Sequence, residues 1–197
     1  MPGAAYLGLD KAAKGSWKDG TGFARRGGYG YRFCSGNATF FNSMPAGFSV
    51  AVSSPTTVAY YDSGTPTTAS LQTPTTGQST WLMYTLGANG VIDYDLTAPG
   101  SEWIYASVYC YELSGGARIQ KVEVYDGATL LATGADSTVV VPGVWYVFRV
   151  WGSVKFRVGM VNSLSYGVAT SGIFLDRFLP HYAGGAAPAA AFGHLAL

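Results

Sequence analysis

A hydrolase needs either a histidine held beside a nucleophile or two carboxylates facing one cleft. The chain has two histidines, His181 and His194, both beyond residue 180. Neither lies in a segment rigid enough to serve a triad, so both are expected at the surface. Asp93 and Asp95 stand two positions apart in I-D-Y-D-L and share one strand face. Two solvated acids on an outer face are expected there, not an acid–base pair. Cys34 and Cys110 lack nearby histidines, which excludes a four-ligand zinc site. The plain expectation is two small buried hydrophobes, with a disulfide left open. Glu112 and Arg118 flank one loop and are expected to form an ion pair. Catalysis is therefore not expected, and no cofactor or metal ligand set is implied.

The remaining chemistry lies in aromatic side chains. Residues 103–111 read W-I-Y-A-S-V-Y-C-Y. Alternate side chains of a strand point to opposite faces. Ile104, Ala106, Val108 and Cys110 then make a small aliphatic face for a core. Trp103, Tyr105, Tyr109 and Tyr111 make an aromatic face with three hydroxyls. Trp145 and Trp151 occupy the outward positions of a second strand. Rings stack on the apolar faces of sugars, and phenol hydroxyls bond their polar rims. These six residues are the candidate ligand or partner contacts. The competing expectation is that the Gly-rich N-terminal segment, or a neighbouring subunit, covers them.

Positioning such a face requires a sheet. Residues 1–36 are Gly-rich and read as loop with short strands. Further strands are predicted near 48–52, 81–86, 91–96, 103–112, 119–125, 129–133, 139–141 and 172–178. Val144, Tyr146, Phe148 and Val150 alternate with Trp145, Val147, Arg149 and Trp151. Val154, Phe156, Val158 and Met160 alternate with Lys155, Arg157 and Gly159. This pair reads as a hairpin whose three-residue loop, Trp151-Gly152-Ser153, sets Val150 opposite Val154. Gly152 or Ser153 would take a left-handed conformation. Arg149, Lys155 and Arg157 would then share the outer face with Trp145 and Trp151. No helical period is visible before residue 180, so the predicted class is an all-β antiparallel sandwich of jelly-roll type.

Composition narrows the class further. Charged residues make up 12% of the 197, and the net charge is +1. That argues against nucleic acid, which needs a dense basic patch. No apolar run is long enough for a membrane span. Residues 1–17 lack the layout of a signal peptide. The expectation is either a removed signal or release by lysis, as for a virion protein. Residues 1–179 are predicted as one domain. Residues 180–197 form a tail whose Ala/Gly stretch precedes an apolar anchor of Phe192, Leu195 and Leu197. That tail is expected to engage a neighbouring subunit.

Several motifs together resemble a known pattern. Asp10, Gly15-Ser16-Trp17-Lys18 and Tyr29-Gly30-Tyr31 resemble an opening D-x-x-T-x-G-x-W-x-G-x-Y-G-x-x-G-Y. Ile92-Asp93-Tyr94-Asp95-Leu96 is similar to an I-D-V-N-L strand, and Ser171-Gly172-Ile173-Phe174-Leu175-Asp176 to a closing S-G-I-F-F-D. The chain thus resembles the carbohydrate-binding-module-like jelly-roll domains of bacterial secreted hydrolases and adhesins. Ala69 stands where those domains carry Arg, and residues 19–28 resemble an insertion. The resemblance implies a sandwich fold, a non-catalytic accessory role and a polysaccharide or cell-surface glycan as partner. It leaves room for a structural calcium, although no D-x-D-x-D-G loop is present. The alternative expectation is a virion structural protein, such as a capsid decoration or tail-fibre component, that uses the same fold to assemble with other subunits. Both place the chain outside the cell or on a virion surface.

Overall fold

The computed structural model describes residues 1–11, 17, 28–55, 58–62, 64, 70–74, 77–79, 81–86, 90–111, 118–139, 143–162 and 166–177. All regular structure among them is β. The strands are β1 (Gly3–Asp10), β2 (Gly30–Gly36), β3 (Thr39–Ser43), β4 (Ser49–Ser53), β5 (Val58–Asp62) and β6 (Leu71–Gln72). They continue with β7 (Gln78–Ser79), β8 (Trp81–Leu86), β9 (Ile92–Thr97), β10 (Trp103–Cys110), β11 (Arg118–Asp126) and β12 (Thr129–Thr133). The last are β13 (Ser137–Val139), β14 (Val144–Trp151), β15 (Val154–Met160), β16 (Tyr166–Thr170) and β17 (Gly172–Arg177). The tail anchor Phe192, Leu195 and Leu197, both histidines and Glu112 lie outside the described residues.

Two antiparallel sheets form the sandwich. The first has the order β1-β14-β10-β17-β2-β3, and the second the order β12-β11-β15-β9-β4. The chain alternates between them: β9 to β10, β10 to β11 and β14 to β15 each cross from one sheet to the other. Smaller sheets, β16-β8-β5 and β6-β7, complete the fold. The sheets enclose an apolar cluster to which every inward position of the alternating segments contributes. Ile104, Ala106, Val108 and Cys110 come from β10, and Val144, Tyr146, Phe148 and Val150 from β14. Val154, Phe156 and Val158 come from β15, and Ile92, Tyr94 and Leu96 from β9.

The predicted hairpin is corrected. The alternation on both arms is present and both apolar sets are buried, but β14 and β15 belong to opposite sheets. β14 pairs with β10 and β1, and β15 with β11 and β9. The rings of Phe148 and Phe156 meet face to edge across the core, with centroids 5.7 Å apart. Residues Gly152-Ser153 carry the crossing, with Gly152 at φ 72°. Burial dictates which side chains face inward, and a crossing satisfies that demand as well as a hairpin does. The outer charges separate accordingly. Arg149 lies on the first sheet, while Lys155 and Arg157 lie on the second.

β1 and β3 were not resolved by sequence reading as regular strands, and β17 lies inside its sheet, between β10 and β2. Cys34 and Cys110 are free and buried. Tyr109 pairs with Gly172, and Gly172 with Phe33. The two cysteines therefore flank position 171 from two strands away, on the order of 9–10 Å apart at about 4.8 Å per strand. A disulfide cannot span that distance. Burial pushes the Cys34 thiol up to about 11 and the Cys110 thiol up to about 12.

Candidate functional site

The outer face of the first sheet collects the aromatic positions that alternation selects. Pairing of β10 with β14 sets Trp103 opposite Trp151, Tyr105 opposite Arg149, Ser107 opposite Val147 and Tyr109 opposite Trp145. On the other side of β10, Tyr105 stands opposite Asp176 and Ser107 opposite Phe174. The six candidate residues thus lie on one continuous face, yet its two ends differ.

At one end the face is closed. Tyr109, Tyr111 and Trp145 are fully buried. They share a second apolar cluster with Trp17, Phe33, Leu71, Leu82, Ala169 and Phe174. Tyr109 packs on Trp145 at 4.5 Å between centroids and lies stacked beside Tyr111 at 6.0 Å. Trp145 meets Phe174 at 5.0 Å, and Phe174 meets Trp17 at 5.2 Å. The Trp17 indole N–H donates to the Gln72 carbonyl oxygen at 2.6 Å, which fixes the ring. Burial holds the Tyr109 phenol well above its ordinary pKa. Gly143, at φ 91°, lies so close to the Tyr109 ring that any Cβ there would collide with it. The expectation that Tyr109, Tyr111 and Trp145 meet a ligand is therefore corrected. They form a second core, to which the Trp17 ring also belongs.

At the other end the face is open. Trp103, Tyr105, Trp151 and Arg149 are each partly exposed. The Trp103 and Trp151 rings lie 5.8 Å apart at 56° to one another, an angled shelf. The Arg149 guanidinium carbon sits 4.7 Å from the Trp103 ring centre. Such a contact draws the cation to the ring's negative face and holds the indole in place. Gly3 of β1 pairs with Trp151, and a Cβ at Gly3 would approach Trp103 to 3.3 Å. The missing side chain lets the indole lie along the strand. Met1, Gly3, Trp103 and Trp151 line an open depression. Partial burial raises the Tyr105 pKa, and the nearby Arg149 charge opposes that rise.

The outer face of the second sheet has a different chemistry. Asp93 is buried at 3% exposure. Arg157 donates to both of its oxygens, Nε to Oδ1 at 2.9 Å and Nη2 to Oδ2 at 2.8 Å. Lys155 lies 3.6 Å from both Asp93 and Asp95, and the Ser53 hydroxyl donates to Asp95 at 2.7 Å. Lys121 pairs with Glu123 at 2.7 Å. The expectation of two solvated acids holds for Asp95 and fails for Asp93, which is tied into a bidentate pair. Both Asp93 oxygens are engaged by a cation, which suits a cross-strand clamp and not proton transfer. Among the described residues no three of His, Cys, Asp and Glu converge as a metal site requires. No described helix could cross a membrane.

No protein-family model matches the chain, and no curated protein matches it. Solved structures similar to it include two carbohydrate-binding modules and a phage domain. A family 35 carbohydrate-binding module from Clostridium thermocellum covers 66% of this chain and 99% of its own, with 14% identity and a TM-score of 0.35. The CBM22-1 xylan-binding domain from Paenibacillus barcinonensis covers 75% and 88%, with 13% identity and a TM-score of 0.37. The enzymatically active domain of tailspike protein 4 from Bacteriophage CBA120 covers 68% of this chain and 20% of its own, with 8% identity and a TM-score of 0.37. At these scores neither a ligand nor an activity is carried over, and the assignment below rests on the side chains.

Sequence reasoning missed two parts of the open end. Arg149 was placed beside Trp145 and Trp151, whereas it backs the Trp103 ring. Gly3 was not singled out at all. Both follow from strand register, which alternation along one strand does not contain. A signal for Gly3 was present in the alternation of Ala4, Tyr6 and Leu9, weakened by the bulge between Tyr6 and Gly8.

Proposed function

We propose that this chain is a non-catalytic glycan-binding module whose contact face is the shelf of Trp103, Trp151 and Tyr105, working outside the cell or on a virion surface. The observation that carries the reading is the partly exposed, angled indole pair beside an open depression. Two rings at an angle offer stacking surfaces to consecutive sugar units of a chain. The Tyr105 hydroxyl and the Arg149 guanidinium supply polar groups at the rim. The charge clamps on the opposite sheet leave its carboxylates committed to structure, which supports a binding role over hydrolysis.

The test is retention of the protein by soluble xylan, mixed-linkage β-glucan, mannan and pectate in affinity electrophoresis. Trp103→Ala and Trp151→Ala should each weaken retention by about 1 kcal/mol or more, as removal of a stacked ring at a contact centre does. Absence of retention on every polysaccharide, for the parent chain as for the variants, would contradict the glycan reading. If the same substitutions instead changed self-association, the shelf would be a subunit contact, as a virion structural role requires.

A further inference from the structure

β4 ends the second sheet and, among the described residues, pairs with β9 alone. The outer strand of a sheet offers a row of backbone N–H and C=O groups to any further strand. Proteins usually blunt such an edge with a bulge, a proline or a charge. β1, β3 and β12, the other ends of the two main sheets, each pair with their neighbour through a register shift. β4 has no such device. Its register with β9 is unbroken from Ser49 opposite Thr97 to Ser53 opposite Asp93. It carries neither charge nor proline. Ser49, Ala51 and Ser53 are exposed, while Val50 and Val52 pack on the core. The strand also reads the same in both directions, Ser-Val-Ala-Val-Ser, with Ala51 at its centre.

We propose that β4 is the contact edge for a second copy of this chain, paired antiparallel about a twofold axis at Ala51. That axis sets Ser49 against the partner's Ser53, Val50 against the partner's Val52 and Ala51 against the partner's Ala51. Each residue then meets its own type, valine against valine on the core side and small side chains outside. This self-complementarity is why the occupant is a second copy and not an unrelated strand. Charge permits the joint. Asp95, opposite Ala51 on β9, is the nearest acid in that row, and Lys155 lies 3.6 Å from it. Three strand spacings would separate it from the partner's Asp95, about 14 Å, beyond the screening length of about 8–10 Å. A five-residue edge covers less than the about 800 Å2 per partner of a stable interface, so the pairing is weak and reversible. The twofold runs along the sheet normal, so both Trp103–Trp151 shelves would look the same way. Only the consequence, two shelves gripping one polymer, rests on the glycan reading.

The experiment is sedimentation equilibrium of the full chain from micromolar to millimolar concentration, without polysaccharide. The parent chain should pass from monomer toward dimer. Ala51→Glu and Ala51→Lys each put like charges face to face across the axis, which opposes pairing whatever the sign. Each should weaken dimerisation about tenfold or more. Position 51 is exposed, so the melting temperature should stay near the parent's. An equimolar mixture of the Ala51→Glu and Ala51→Lys chains should recover dimer, because opposite charges now meet; chains that had merely failed to fold could not. A parent that stays monomeric at millimolar concentration would overturn the proposal. So would dimerisation that both substitutions leave unchanged, or that mixing the two variants fails to recover. Dimerisation that follows this pattern upholds the β4 joint even if no polysaccharide is retained, and then the glycan reading alone falls. Retention by a chain that never dimerises sinks the joint and leaves the glycan reading standing.

Discussion

The outer face of the first sheet is aromatic from end to end, yet Trp145 and Trp103 live in different environments on it. Trp145 is wholly buried between Tyr109 and Phe174. Trp103 keeps solvent on one side and a guanidinium on the other. Both are outward positions of neighbouring strands, six register steps apart. What separates them is whatever else in the chain lies over the sheet. Trp17, tied to Gln72, and Leu71 and Leu82 from the smaller sheets pack into the Trp145 end. Beside the Trp103 ring, Met1, Gly3 and Trp151 line an open depression. An aromatic strand face is a surface on offer, and long-range packing decides how much of it becomes core.

The sharpest way to break this comparison is truncation at the closed end. Trp145→Ala should destabilise the fold by about 3–5 kcal/mol, seen as a large drop in the denaturant midpoint. A small loss would mean that the ring is not core. Next in size is Gly143→Ala, which should cost about 1–3 kcal/mol by calorimetry. It places a Cβ against Tyr109 at a positive φ. A neutral outcome would show that the two segments can separate freely. Trp103→Ala and Trp151→Ala should each cost about 1 kcal/mol or less in stability while lowering polysaccharide retention. A large fall in melting temperature would place the open end in the core as well.

Alkaline titration sharpens the same contrast. Tyr109 is held well above the ordinary value of 10.0 by burial, and Tyr105 is raised by partial burial while Arg149 opposes the rise. Below pH 10 both phenols are protonated in the folded and unfolded chain alike, so they contribute no pH dependence. Above it the unfolded chain releases its protons first, so stability falls as pH rises toward the folded-state values. Absorbance at 295 nm should show Tyr105 ionising before unfolding and Tyr109 only with it. Ionisation of every tyrosine ahead of the loss of structure would contradict the closed end.

Alternation alone identified the inward residues of β9, β10, β14 and β15, because a period of two is local and burial enforces it. Partnership was not legible. Val150 and Val154 look like neighbours across a hairpin, but the chain crosses the sandwich between them at Gly152. The pattern of inward side chains is the same in both arrangements, so nothing in those residues distinguishes them. β1 was hidden by Gly3, Gly8 and the bulge at Tyr6. Trp17 was visible as part of a motif, but its role as a cover over Phe174 depends on contacts between positions more than a hundred residues apart. The aromatic face could be found from sequence, whereas its division into two ends could not.

The central claim is that ligand meets the open end alone. It is tested most directly by recording the indole N–H signals of the five tryptophans while titrating soluble xylan or pectate. The account predicts progressive shifts at Trp103 and Trp151, with Trp17 and Trp145 unmoved. Shifts at Trp145 or Trp17 with Trp103 silent, or no shift at any indole while the polysaccharide binds, would contradict it.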